Sequence, residues 1–156
     1  SRSLTAGFWS LGVLAEIGLF LLMPRILLSF SVRQVLLACF LIAALRWLML
    51  GHLATSLVWL VLIQLLHAAT FGAFHTTSMQ YVQGVFPAAR QGMGQALYVS
   101  FSGVGAAAGA LYAGYLWRPA GAAGTFAVAS LVALLAFVIL WAGMRASRPP
   151  SETELS

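Results

Sequence analysis

Glu16, Arg46 and His67 each stand inside a long apolar run of this 156-residue chain. A charge at the centre of a bilayer costs at least ~2.5 kcal/mol, so such residues line a polar cavity, meet a partner or tie helices together. Glu16 is the only carboxylate so placed, because the other acids, Glu152 and Glu154, lie in a polar tail. Trp9, Gly12 and Glu16 share one helical face, setting an aromatic plate two turns from an acid. That combination suits an apolar ring or a sugar face. Arg46 is the one Arg inside a span, four residues from its end. Helical side chains tilt toward the N-terminus, so Arg46 should lean toward the midplane and Glu16 outward to pair with it.

The third apolar run carries most of the remaining polarity. Gln64, His67, Phe71, His75 and Ser78 fall within an arc of ~80° on a helical wheel. His67 lies ~15 Å below the outer surface at 1.5 Å per residue. There an imidazole can carry a proton, bind a ligand or bridge helices. His75 is ~12 Å further on at that rise, so the two histidines cannot share a metal; no metal site and no cofactor is expected.

Other constellations fail on inspection. Paired carboxylates are impossible with one intramembrane acid and no Asp, and no Ser has a convincing base and orienting acid, so an enzyme is not expected. Gly103-Val-Gly105-Ala-Ala-Ala108 nominally fits a dinucleotide fingerprint but follows no strand and has no acid about 20 residues on. Gly105 and Gly109, with Ala110 and Gly114, are better read as a small-residue seam for close helix packing.

These residues must be held by membrane-spanning helices. The chain is 62% hydrophobic and 7% charged, with a mean hydropathy of +0.96, against ~25% charged in a soluble domain. Too few ionic groups exist to cover a water-facing surface. The net charge of +5 comes with scattered Arg and no basic cluster, which argues against a nucleic-acid module. The single cysteine, Cys39, excludes an internal disulfide.

Five stretches are close to the ~20 apolar residues that a bilayer requires: about Leu4–Met23, Val32–Leu50, Leu57–Val85, Gln95–Trp117 and Gly124–Met144. Pro24, Phe86-Pro87 and Arg118-Pro119 are their expected breaks. The expected fold is an all-α integral membrane bundle over residues 1–144, followed by a disordered cytoplasmic tail, 145–156. Alternate flanks carry five Arg against two, which places the C-terminus in the cytoplasm. The chain opens on Ser1 without a signal-peptide pattern, and an odd helix count starting outside suggests upstream sequence.

The order Gly7-Phe-Trp-Ser-Leu-Gly-Val-Leu-Ala-Glu16, Pro24-Arg25, Ser31-Val-Arg33, Leu45-Arg46-Trp47 and Gln64-Leu-Leu-His67 resembles the major facilitator superfamily. The similarity is to the branch that holds 3-phenylpropionic acid, nucleoside and lactose proton symporters, and it extends to about Ala142. It implies that the chain corresponds to helices eight to twelve of a twelve-helix, multi-pass inner-membrane transporter working by alternating access. Its partners would be a small organic solute, a proton, the lipid bilayer and the N-terminal half of the transporter, without which the chain should not transport. By the same resemblance to lactose permease, Glu16 and Arg46 match substrate-site residues and His67 matches the tenth-helix histidine. Trp9 would join the substrate site, and His67 and Glu16 would couple the proton. The permease's proton-carrying Glu falls where this chain has Thr70. The proton would then pass through Glu16, His67 or a group outside this chain, or coupling differs. The competing expectation is a non-transporting membrane protein whose polar residues only specify packing.

Overall fold

The computed structural model describes residues 2–146, without the side chains of residues 2–5, 9, 145 and 146. Among the described residues it is helical with no strand, as lipid demands of a chain that must satisfy its own backbone. In chain order come α1 (Arg2–Ser29), α2 (Val32–Leu53), α3 (Leu57–Ala68), a π turn (Ala69–Ala73), α4 (Phe74–Val85), a short 3-10 turn (Ala88–Arg90) and α5 (Gln91–Ala146). The π turn joins α3 and α4 into one apolar rod, Leu57–Val85. Four helices are long and apolar enough to cross a membrane, and the last apolar stretch, Ala88–Met144, is long enough for two crossings.

α5 folds back on itself between two arms that could each make one of those crossings. Gly121 alone leaves the helical conformation, with φ 62° and ψ −169°, a backbone state that glycine enters without a Cβ penalty. Tyr98 and Leu140 would be ~60 Å apart along a straight helix, yet both line one cavity. The Trp117 and Phe126 rings meet edge to face at 6.2 Å across the bend. Thr125 donates to the Gly121 carbonyl at 2.8 Å, steadying the start of the second arm. α5 therefore comprises a first arm, 91–120, and a second arm, 122–146, each long enough to cross, so the described chain has the five apolar segments expected from hydropathy.

Two expected boundaries move. α1 does not stop at Pro24 but carries it inside the helix and runs on to Ser29; a membrane helix tolerates the missing N–H when its neighbours support it. Residues 117–124, expected as a loop, are helical except at Gly121. α2 begins at Val32, as expected, behind a reciprocal Ser31–Gln34 cap that the structure reveals: the Ser31 N–H donates to Gln34 Oε1 at 2.9 Å and the Gln34 N–H to Ser31 Oγ at 3.3 Å. The expected tail falls at residues 147–156 outside the described residues, while Arg145 and Ala146 still belong to α5.

α2 is the hub. On one side it meets α3, the π turn and α4, and its Val35 and Cys39 share a buried apolar cluster with Met23 of α1 and Ala73 of the π turn. On the other it runs antiparallel to the second arm of α5. Trp47 stacks on Phe126 at 5.5 Å, Ser130 donates to the Ala44 carbonyl at 2.9 Å, and Arg33 donates to the Trp141 carbonyl at 3.0 Å. The first arm touches α4 near its start, where Gly94 lies against Phe86 and Val82.

Candidate functional site

α1, α2 and α3 converge on a cavity of about 490 Å³. Glu16, Arg46, Gln64 and His67 supply its polar wall, and Val13, Leu50 and Phe71 its apolar one. Gly12 completes the lining, and a Cβ there would come to 3.8 Å from Gln64 Nε2 and 3.9 Å from His67 Cδ2. Those are ordinary contact distances, so α1 faces the polar stripe of α3 with room for no more than a methyl between them. Gln64 donates to the Phe8 carbonyl at 3.1 Å, tying α1 to α3 at this level.

The three ionisable residues form a chain with His67 in the middle. Arg46 Nη1 lies 3.2 Å from His67 Nδ1, and His67 Nε2 lies 3.3 Å from Glu16 Oε1. The direct Glu16–Arg46 pair expected from tilt is not made; the imidazole has come between them. The chemistry of the donors then sets the tautomer. A guanidinium can only donate, so Nδ1 must accept from Arg46 and its proton must sit on Nε2, where it faces the Glu16 carboxylate. The arrangement calls for charged Arg46 and neutral His67, with the Nε2 proton directed at Glu16.

Each member is braced. Arg46 is 8% exposed, with its guanidinium carbon 4.4 Å from the centre of the Trp47 ring, a cation–π contact that offsets part of its desolvation. Its Nε is buried without a hydrogen-bond partner. The His67 ring stacks on Phe71 one turn below, at 5.5 Å and 19°. Gly72 in the π turn brings backbone against Glu16, with an added Cβ 3.7 Å from Glu16 Cγ. The Thr70 hydroxyl donates to the His67 carbonyl at 3.2 Å, so the position at which an acid was sought is occupied by a group bonded to its own helix.

Of the residues expected to act, Glu16, Arg46 and His67 come together. The Trp9 side chain lies outside the described residues. A Cβ on Gly105 or Gly109 would meet nothing within 4 Å, so their seam, expected to pack within the bundle, is open in the described chain. His75 points elsewhere and pairs with Tyr98 at 3.1 Å. The π turn and the Trp47 support were not foreseen. No local signal marks the π turn beyond Gly72 itself, and Trp47 is adjacent to Arg46 in a helix, a spacing that ordinarily separates side chains. π turns are frequent at functional sites because they break the regular ladder of hydrogen bonds.

Residues 1–128 match the MFS_1 like family. Over 144 residues the chain is 36% identical to the "Probable 3-phenylpropionic acid transporter" of Escherichia coli (strain K12). That alignment takes in 89% of this chain and 36% of the relative, so the chain spans little more than a third of the curated protein it matches. No solved structure matches it.

Proposed function

The chain belongs to the MFS_1 like family of major facilitator transporters, and from that premise we propose that it forms the C-terminal portion of a proton-coupled symporter for a small aromatic carboxylate. The observation that carries this reading is the Arg46–His67–Glu16 chain on the wall of a cavity between three membrane helices. Arg46 offers the cation a carboxylate needs, and Phe71 and Val13 offer apolar surface for a ring. The printed name of the Escherichia coli relative supports the same ligand class. A sugar or nucleoside, whose hydroxyls Glu16 and His67 could bind, is the alternative solute.

In this reading Glu16 and Arg46 shape the substrate site, Trp9 adds an aromatic face, and His67 couples the proton with Glu16 beside it. The cavity is one wall of a site completed by the N-terminal half of the transporter, and rocking of the halves alternates access. Gly105 and Gly109 keep their role as helix-packing positions, with a partner beyond the described residues. In the proposed inner-membrane setting, the Arg asymmetry of the flanks supports an orientation with the C-terminus in the cytoplasm.

The test is uptake of labelled 3-phenylpropionate by cells expressing the full-length transporter under an imposed proton gradient. Glu16→Gln and His67→Ala should each abolish accumulation. Glu16→Gln should also stop counterflow, since it leaves a buried charge network short of its anion, whereas His67→Ala should retain it. Normal accumulation by both variants would mean that the cluster only specifies packing.

A further inference from the structure

We infer that His67 is a proton-operated release for Arg46, so that the site takes up one proton together with one singly charged carboxylate. This deepens the proposed function and rests on it. The argument starts from the 3.2 Å contact between Arg46 Nη1 and His67 Nδ1. That contact exists only while Nδ1 has a free lone pair, because the guanidinium has no acceptor to offer. A proton arriving on Nδ1 turns it into a donor facing a donor, and the contact must break.

Protonation at Glu16 instead would not do this. A Glu16 carboxylic acid can still accept from Nε2–H, which leaves Nδ1 unprotonated and Arg46 held. Among the described residues, Glu16 from α1 and Arg46 from α2 are the charged groups lining the cavity with His67, and α3 adds only neutral Gln64. The proton that matters therefore goes to the imidazole. The resulting imidazolium is matched by the Glu16 carboxylate at 3.3 Å and by the Phe71 ring stacked beneath it.

Charge balance then specifies the ligand. At rest, Glu16 and Arg46 cancel across a neutral His67. After protonation, Glu16 cancels the imidazolium and Arg46 is left charged, buried and unpaired, a costly state in a membrane. One monocarboxylate restores neutrality and takes the Nη1 donor that His67 gave up. A neutral solute would leave the cation uncompensated, and a dianion would overshoot. Loading both ions, or neither, leaves the site uncharged, so net transport carries no charge.

The experiment measures equilibrium binding of 3-phenylpropionate to the purified full-length transporter from about pH 5 to about 9, spanning the ordinary range of histidine. Above the titration of His67, wild-type affinity should weaken about tenfold per pH unit, the slope of one linked proton. His67→Asn keeps an acceptor at the δ position but cannot be protonated, so it should bind weakly at every pH. His67→Ala removes the latch and should bind independently of pH, more tightly than His67→Asn but more weakly than wild type in acid, because no imidazolium then balances Glu16 beside the bound carboxylate. A structural histidine would make both variants fail alike, and that outcome, or a flat wild-type profile with intact binding, overturns the inference alone. Wild type needs no variant for the second arm: proteoliposome uptake should follow a pH gradient and ignore a potassium–valinomycin potential. Uptake driven by the potential overturns electroneutral pairing. Absence of any 3-phenylpropionate binding by wild type would sink the proposed substrate, and the inference with it.

Discussion

Along α5, the second arm lies against α2 from Ala123 to Trp141, whereas Phe101, Val104, Leu111 and Tyr115 of the first arm stand exposed. Both arms are apolar and rich in Gly and Ala. The second is joined to α2 by the Trp47–Phe126 ring stack, by the Ser130 hydroxyl donating to Ala44 and by the Arg33 guanidinium of α2 donating to Trp141; its Thr125, Ala129, Ser130 and Ala133 are buried. Among the described residues, the first is tied beyond its opening turn by the Tyr98–His75 pair and, at the bend, by the Trp117–Phe126 contact. Small residues permit two helices to approach, but between lipid-soluble helices there is no hydrophobic drive, and specific contacts decide whether they do.

Four substitutions sharpen that contrast, in order of expected effect. Gly51→Leu should do most damage, because a Cβ at Gly51 would already lie 3.2 Å from Phe126 Cβ and 3.3 Å from Ala123 Cα. Forcing backbone away at such a contact costs about 1–3 kcal/mol, read as a lower unfolding midpoint of the full-length protein in detergent. An unchanged midpoint would mean that the α2–α5 seam is not a stabilising interface. Ser130→Ala removes the hydroxyl bond to Ala44 and should cost about 0.6 kcal/mol, the average for such bonds in membranes. A loss several times larger would show the second arm hanging on that one anchor. Gly105→Leu and Gly109→Leu should leave the midpoint of this bundle within about 0.5 kcal/mol of wild type, since neither Cβ meets a neighbour. If transport nevertheless falls while the midpoint holds, the partner of the first arm lies elsewhere in the transporter. If the midpoint falls too, the contrast between the arms is wrong.

The polar site repeats the lesson at the scale of side chains. Glu16, Arg46 and His67 were legible because an ionisable group in an apolar run has few innocent explanations. Their approximate common depth followed from 1.5 Å per residue and the tilt of side chains toward helix N-termini. Which of them would touch did not follow. Helix rotation and separation are set by packing, and a shift of one ring width decides whether Glu16 meets Arg46 or His67 meets both.

The number of apolar segments, the start of α2 at Val32 and the identity of the groups that must find partners were determined by sequence alone. Lipid imposes those demands on every segment separately: length, apolarity and a self-satisfied backbone. Only the tertiary structure decided that the reversal in α5 falls at Gly121 rather than at Pro119, that a π turn lays Gly72 against Glu16, and that His67 stands between acid and base. Each of those depends on what a neighbouring helix presents at that depth, which no single segment encodes by itself.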